Sequence, residues 1–344
     1  MTSDGLITLN VSNPAAPAKV GQVETVGDLA VVGNYAYVNG SRGLWILSVA
    51  NPSQPTTTGF YATPLNVTGA AVAGDKAYLA AGYGGLHILD IPNPAVPLTL
   101  GAGDTPSYAW NVAPVGNYAY VPDSLSGLRI FNVANPAAPF EVGFFDTDYA
   151  YDVAIAGLYA YVADGDVGLR ILNVANPAVA VEVSSIDTAD SAVDVVVVGN
   201  LAYVADLEGG VRIINVANPA APYEVGFYET QRPAAAVAVV GNVAYVAAQQ
   251  AGLLLINVAN PAAPSRISGY DTPGSAADVV VVGGYAYVAD SRSGLHILNV
   301  ANPVAPVSVG VYDTPGTAGG VDVAGNIAYV ADGTGGLMIL RHNK

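Results

Sequence analysis

Residues 152–186 read DVAIAGLYAYVADGDVGLRILNVANPAVAVEVSSI, which is four short runs of β-forming residues separated by turn-forming residues. The runs are Asp152–Ala156, Tyr159–Ala163, Gly168–Val174 and Val181–Ile186. An Asn-Pro turn joins the third run to the fourth, where proline removes a backbone donor and stops the strand. No segment between the glycines and prolines is long enough for a helix. The sequence therefore predicts a unit of four antiparallel strands.

The same unit recurs along the chain. The Asn-Pro pair occurs eight times at spacings of 38 to 42 residues, at Asn13, Asn51, Asn93, Asn135, Asn176, Asn218, Asn260 and Asn302. In most copies Gly-Asn or a close variant joins the first two runs, which suits a tight hairpin. Four antiparallel strands in about 42 residues, repeated about eight times, predict a β-propeller. A β-solenoid is the alternative, but its coils are usually shorter and its strands parallel.

The count of each run predicts an all-β propeller of eight four-stranded antiparallel blades in a single domain, residues 1–344. The third run occurs nine times and the other three eight times, so strands within residues 1–26 are expected to complete the last blade, residues 319–340, and close the ring. Only one of the two terminal third runs is expected to fit there. The other would fray, or pair with a neighbouring molecule to form an oligomer or fibre. The candidate self-assembly residues are Leu6, Ile7, Leu9, Val11, Leu337 and Ile339.

Two motifs carry a family resemblance. Tyr-Ala-Tyr-Val-Ala-Asp from Tyr159 is followed by Gly-Leu-Arg-Ile-Leu-Asn-Val-Ala-Asn-Pro from Gly168, and close copies cover nearly the whole chain. This pattern resembles the LVIVD repeat. The resemblance implies a β-propeller of bacterial or archaeal surface or secreted proteins, mostly without an assigned activity, and it transfers no catalytic residues. Because no signal peptide is visible and the chain starts within a repeat, we expect a mature or excised region. From the low Lys content, the absence of Cys and the resemblance to surface proteins, we expect it to lie outside the cytoplasm of a prokaryote.

Composition excludes several classes of function. The chain has 27 acidic residues, 11 Lys and Arg, no Cys and three His, for a net charge of −16, which argues against nucleic-acid partners. The longest nearly apolar stretch, residues 234–248, is too short to span a membrane. No nucleophile elbow, phosphate loop or dinucleotide motif is present. We predict that the protein is not an enzyme, with a carbohydrate-active enzyme as the least supported alternative.

Most acidic residues fall in the loops at one end of the predicted ring. This loop end carries the second-to-third and fourth-to-first loops. Four acids and one amide at the starts of first strands are expected to face the central channel, namely Asp28, Asp152, Asp194 and Asp278, with Asn111. Carboxylates are ligands that Ca²⁺ prefers, so we predict a possible calcium site there and no other cofactor. The alternative is that the loop acids form turns and keep an apolar protein soluble.

Two neighbouring fourth-to-first loops carry aromatic residues where the other copies have small ones. The candidate ligand-binding residues are Tyr108, Trp110, Asn111, Tyr149 and Tyr151. Aromatic faces beside carboxylates and amides can stack on and hydrogen-bond a sugar or a peptide. The predicted partner is therefore a protein or a glycan at the cell surface. Packing beneath the loops is the alternative explanation.

In the third run, the residue that follows the recurring leucine position, such as Arg170 after Leu169, varies from copy to copy. It is Arg129, Arg170 and Arg212 in three of them, and we expect these guanidinium groups to lie in water. His87 and His296 occupy the same position and have no apparent acid to orient them as catalytic bases. The sequence favours a non-enzymatic binding scaffold, with a self-assembling structural subunit as the alternative.

Overall fold

The computed structural model describes residues 6–11, 18–23, 29–32, 35–40, 43–48, 56–62, 69–90, 98–313, 317–324, 327–331 and 337–342. The surroundings of side chains are described for residues 71, 73–90, 98–313, 317–319 and 321.

The described chain is built from short β-strands and one turn of 3-10 helix, Pro177–Val179. The first ten strands are β1 (Leu6–Val11), β2 (Ala18–Val23), β3 (Leu29–Val32), β4 (Tyr35–Gly40), β5 (Gly43–Ser48), β6 (Thr56–Ala62), β7 (Gly69–Ala73), β8 (Lys76–Ala80), β9 (Leu86–Asp90) and β10 (Leu98–Gly103). The next twelve are β11 (Ala113–Val115), β12 (Tyr118–Pro122), β13 (Leu128–Asn132), β14 (Phe140–Phe145), β15 (Asp152–Ala156), β16 (Tyr159–Ala163), β17 (Leu169–Asn173), β18 (Val181–Ile186), β19 (Asp194–Val198), β20 (Leu201–Ala205), β21 (Val211–Asn215) and β22 (Tyr223–Tyr228). The last are β23 (Ala236–Val240), β24 (Val243–Ala247), β25 (Leu253–Asn257), β26 (Ser265–Tyr270), β27 (Asp278–Val282), β28 (Tyr285–Ala289), β29 (Leu295–Asn299), β30 (Val307–Tyr312), β31 (Gly320–Ala324), β32 (Ile327–Ala331) and β33 (Leu337–His342).

Strands β7–β30 form six consecutive four-stranded antiparallel sheets, each with its strands in chain order. The second strand of a sheet is buried almost throughout, because sheets on both sides cover its two faces. Tyr161 and Ile171 of one sheet, for example, pack in one cluster with Val195 and Val204 of the next. The hydrophobic core therefore lies between neighbouring sheets.

Neighbouring sheets also meet along their first strands. From β7 to β31, the first strand of each sheet contacts the first strand of the next, and β3 contacts both β7 and β31. At the loop end, isolated antiparallel bridges such as Ser124–Ala150 and Gly165–Ala192 join each second-to-third loop to the following fourth-to-first loop. The loop end is thus tied together by the backbone.

The two chain ends share one sheet. Strands β3–β6 form another four-stranded sheet, whereas β1 and β2 join β31–β33 in a five-stranded sheet of order β2-β1-β33-β32-β31. The expectations of one terminal third strand and of four strands in this sheet are wrong, since β1 and β33 both belong to it and pair in parallel, with Leu9 opposite Leu340. Both are third strands of a repeat and run in the same direction, so β1 extends the edge of β33 while it keeps its antiparallel partner β2.

The candidate self-assembly residues lie on these two strands. Each of the two strands pairs on both sides within the chain. Self-assembly itself stays a prediction.

Candidate ligand-binding site

Five aromatic rings form a continuous row at the loop end. The ring of Tyr83 is 5.0 Å from that of Tyr108, which is 4.8 Å from Trp110. The ring of Trp110 is 5.8 Å from that of Tyr151, which is 4.7 Å from Tyr149. These five residues, which we call the aromatic strip, belong to loops of three successive sheets. The structure thus joins the four aromatic residues predicted from the sequence and adds Tyr83.

The backbone turns the aromatic side chains of the strip away from the core. Ala109 is fully buried, and its amide donates to the carbonyl of Gly82 at 3.1 Å. Because side chains alternate along an extended segment, Tyr108 and Trp110 lie on the side opposite Ala109. Ala150 plays the same part in the next loop. In the other described copies, small residues flank the equivalent buried alanine, and no such row of rings forms there.

Two buried carboxylates hold the loops of the strip. Asp123 Oδ2 accepts a hydrogen bond from the amide of Ser107 at 2.9 Å, and Asp164 Oδ1 accepts one from the amide of Tyr149 at 2.8 Å. Both aspartates are fully buried, and burial raises the pKa of Asp123. The interpretation of these loop acids as solvated charge is therefore wrong for Asp123 and Asp164, which shape the loops from inside.

A glycine leaves room beneath one end of the strip. Gly165 has φ +53°, and a Cβ there would lie 3.3 Å from Tyr149 Cβ and 3.5 Å from Tyr151 Cε2. Trp110 is 36% exposed and Tyr83 73% exposed, so the strip presents ring surface to a ligand. Tyr83 was missed in the sequence because its loop lies 25 residues before that of Tyr108, and only the order of the sheets brings the two together.

Asn111 lies with the first-strand acids rather than with the strip. Its Nδ2 donates to Asp152 Oδ1 at 2.9 Å, although it follows Trp110 directly in the chain. The sequence grouped Asn111 both with the four aromatic residues and with the first-strand acids, and this hydrogen bond joins it to the second group.

The first-strand aspartates bind backbone amides of the next sheet. One carboxylate oxygen of each aspartate accepts a hydrogen bond from a backbone amide one repeat later. Asp152 accepts from Val195 at 3.3 Å. Asp194 accepts from Val237, and Asp278 from Val321, both at 2.9 Å. Burial raises the pKa of Asp152, and burial together with the charge of Asp152 raises the pKa of Asp194 well above its ordinary value. These carboxyl groups hold neighbouring sheets together along their first strands.

Calcium binding by the first-strand aspartates stays a prediction. Asp28 lies outside the described residues. Among the residues whose side chains are described, no group of three or more His, Cys, Asp or Glu residues could hold a metal ion. A calcium ion would have to compete with the amide donors for the same carboxylates.

An ion-pair network centred on an arginine lies behind the loops of the three successive sheets β11–β22. Arg212 is 7% exposed, its Nε is 3.3 Å from Asp206 Oδ2, its Nη1 is 3.6 Å from Glu224, and its guanidinium lies 4.6 Å above the ring of Phe227. Asp206 also accepts a hydrogen bond from Thr188 at 2.5 Å. The expectation that these guanidinium groups lie in water is wrong for Arg129 and Arg212, which are buried, whereas Arg170 is half-buried. A buried aspartate and a glutamate pair with Arg170 and Arg212, and Glu141 and the exposed Asp146 pair with Arg129.

The same position holds His296 two sheets later. Its Nε2 is 3.4 Å from Asp290 Oδ2, so the expectation that no acid accompanies this histidine is wrong. His296 is 2% exposed, and burial lowers its pKa. A side chain so enclosed cannot reach a substrate, and it takes the structural place of Arg212.

The tandem sheets and the exposed aromatic strip define a repeat β-propeller with a candidate binding surface at one end. A model of the LVIVD repeat matches nine segments, residues 2–25, 26–63, 66–105, 106–147, 148–188, 189–230, 231–272, 273–314 and 315–340. The chain therefore belongs to the LVIVD repeat family. No curated protein matches it significantly.

Solved structures share the fold at low sequence identity. Sqt1 of Saccharomyces cerevisiae is 8% identical with a TM-score of 0.79, over 99% of this chain and 100% of that one. BamB of Moraxella catarrhalis is 15% identical with a TM-score of 0.65, over 89% and 92%. Sqt1 of Chaetomium thermophilum, bound to the N-terminus of ribosomal protein L10, is 12% identical with a TM-score of 0.72, over 98% and 97%. Within its described residues, this chain has no helix long and apolar enough to cross a membrane.

Proposed function

We propose that the chain forms an eight-bladed propeller whose ring is closed by its terminal strands. Two contacts support this proposal. The first strand β3 lies beside β31, and β1 pairs with β33 in the sheet that contains both chain ends. A closed ring would hold the loops of all blades at fixed separations, so that several loops could bind one ligand together.

We further propose that the protein is a non-enzymatic scaffold that binds a partner protein through the aromatic strip. The observation that carries this function is the continuity of five rings across three sheets, with Trp110 and Tyr83 open to solvent. Exposed aromatic residues are frequent anchors of protein interfaces. The similar Sqt1 structure holds a polypeptide N-terminus.

The charge around the strip favours a basic partner. The exposed carboxylates of Asp104 and Asp148 lie in loops that carry the strip, Asp148 pairs with Arg170 at 3.0 Å, and the exposed Asp166 follows Gly165 in the adjoining β16–β17 loop. The whole chain has a net charge of −16. Lys and Arg side chains of a peptide could stack on the rings and pair with these acids. The proposed ligand is therefore an extended peptide segment with basic side chains, displayed at the cell surface of a prokaryote.

Peptide and glycan arrays test this proposal. We expect the protein to bind peptides rich in Lys and Arg, and Trp110→Ala to lose this binding by about tenfold or more. Tyr223→Ala is the matched control, because Tyr223 is 57% exposed and begins β22, away from the strip. Binding to glycans but not to peptides would mean that the ligand of the strip is a sugar and not a peptide. Binding that survives Trp110→Ala would reject the strip as the site.

Calcium is the one cofactor that we keep as a proposal. Calorimetry with millimolar Ca²⁺ tests it on the wild type and on Asp194→Asn. Heat and a rise in Tm that the variant abolishes would support a calcium site at the channel. If the wild type shows neither heat nor a rise in Tm, the calcium site is rejected.

A further inference from the structure

A cavity of about 250 Å³ opens at the loop end beside the sheet β23–β26. Its lining includes Gln231, Arg232, Gln250, Leu254, Arg266 and Asp271. It lies apart from the aromatic strip, which belongs to the sheets β7–β18. Two arginines on one cavity are unusual in a chain that has only 11 Lys and Arg among 344 residues.

The cavity exists because this sheet lacks the buried network of its neighbours. Leu254 pairs with Val246 in the register in which Arg212 pairs with Val204, so leucine replaces the buried arginine. Ala248 likewise stands where the preceding sheet has Asp206. Leucine is shorter than arginine and uncharged, so the space that the Arg212 guanidinium fills in the preceding sheet is open here.

The acids around that space are replaced by arginines. Arg266 lies opposite Ile256 in the register in which Glu224 lies opposite Ile214, so the glutamate that pairs with the buried arginine becomes an arginine here. Arg232 stands two residues before the bridging Ala234, the place that Asp190 occupies before Ala192. Both exchanges replace a negative charge by a positive one on the same cavity.

A glycine gives Arg266 its position. Gly269 stands where the preceding sheet has Phe227, the ring that stacks on the buried arginine. A Cβ at Gly269 would lie 2.6 Å from Arg266 Nη2 and 3.1 Å from a methyl group of Leu254. The guanidinium of Arg266 therefore occupies the place of the missing phenyl ring and borders the cavity.

Both guanidinium groups are available to a ligand. Arg232 and Arg266 are exposed, and among the described residues neither has a carboxylate within 4.0 Å. The Nε of Arg266 donates to the carbonyl of Ser268 at 3.3 Å, which leaves its other donors free to bind an anion. Planar guanidinium groups bind carboxylates through paired hydrogen bonds.

We propose that this cavity binds the carboxylate of a small organic acid. Arg232 and Arg266 hold the carboxylate, Leu254 supplies the apolar wall, and Asp271 accepts a hydrogen bond from a hydroxyl or ammonium group of the same ligand. The volume is below the range of about 300–1,000 Å³ for sites that hold drug-sized molecules, so the ligand is a single sugar acid or amino acid.

Calorimetric titrations of the full chain with glucuronate, glutamate, glucose and inorganic phosphate test the proposal. We expect glucuronate or glutamate to bind, and the stronger of the two identifies the ligand class. Glucose is the neutral control. No heat with either acid, equal binding of glucose, or stronger binding of phosphate would overturn the proposal.

Two variants and two controls locate the binding. Arg266→Glu restores the residue of the three preceding sheets and should weaken binding at least tenfold. The control Arg292→Glu makes the same charge change on an exposed loop residue of the next sheet and should leave binding within twofold. Gly269→Phe should also abolish binding, because the ring displaces the Arg266 guanidinium. Retained binding in Arg266→Glu with an unchanged Tm would overturn the assignment. The second control, Trp110→Ala, tests the aromatic strip and should leave binding of the acid to the cavity unchanged.

Discussion

Asp194 Oδ2 accepts a hydrogen bond from the backbone amide of Val237, 2.9 Å away and one repeat further along the chain. The same bond recurs from Asp152 to Val195 and from Asp278 to Val321. Each bond joins the first strands of two different sheets, between which no strand pairing exists. The aspartates are thus part of the contact between sheets as well as candidates for a metal site.

Asp194→Asn should make the stability of the protein less dependent on pH. Because the folded-state pKa of Asp194 is raised, the stability that this carboxyl contributes is present below its ordinary pKa and is lost as pH rises through the folded value. Asparagine does not titrate, and its oxygen can still accept the amide of Val237. We therefore expect the Tm of the variant, relative to that of the wild type, to increase from pH 4 to pH 8.

Thermal unfolding in a series of buffers measures this difference. Asp166→Asn, at an exposed loop residue, is the control and should show no such trend. A variant that loses stability equally at every pH would show that the carboxyl acts only through its hydrogen bond.

Gly165→Ala should weaken ligand binding to the aromatic strip. The new methyl group would lie 3.3 Å from Tyr149 Cβ, which must shift slightly and take along the ring that stacks on Tyr151. A left-handed backbone also costs a non-glycine residue about 1–2 kcal/mol. Gly157→Ala is a matched control, because Gly157 has φ +62° and nothing within 4 Å of its Cβ position. Both variants should lose similar stability in denaturant unfolding, but only Gly165→Ala should reduce affinity for the selected peptide. Equal affinities would show that the ring positions do not matter.

Arg212→Leu should destabilise the protein by about 3–5 kcal/mol, because it leaves the buried Asp206 without its cationic partner. The double variant Asp206→Ala/Arg212→Leu copies the pair Ala248 and Leu254 of the next sheet, and it should recover much of that loss. Urea unfolding of the single and double variants measures the coupling. A double variant as unstable as the sum of its single variants would mean that the two side chains act independently.

Removal of residues 1–26 should promote association between molecules. The truncation deletes β1 and β2, and so exposes the hydrogen-bonding edge of β33. We expect light scattering to give a constant monomer mass for the full chain at rising concentration and a growing mass for the truncated one. Growth of the full chain itself would instead favour the self-assembling structural subunit.

The limits of prediction follow from which contacts are local. Strand positions and hairpins depend on glycine, proline and alternation within a few residues, so the boundaries of β15–β18 lie within a residue of the runs seen in the sequence. The five-stranded terminal sheet depends on a pairing between Leu9 and Leu340, at opposite ends of the chain. Nothing local reveals that pairing.

The buried arginines show a second limit. Arg212 is a polar residue at a variable position, which in sequence reads as a surface residue. Its burial depends on Asp206, six residues before it, and on Glu224, twelve residues after it, which meet only when the loop and the fourth strand fold over the third.

By itself, the sequence determined the repeat, the strand order within the four-stranded sheets and the two loops with unusual aromatic residues. All of these depend on composition and on spacing along the chain. The tertiary structure alone decided that Tyr83 extends the aromatic strip, that the loop aspartates Asp123 and Asp164 are buried, and that Arg232 and Arg266 border one cavity. Each of these contacts forms only when different repeats lie side by side, because ring contacts, burial and charge interactions depend on distance in space and not on separation along the chain.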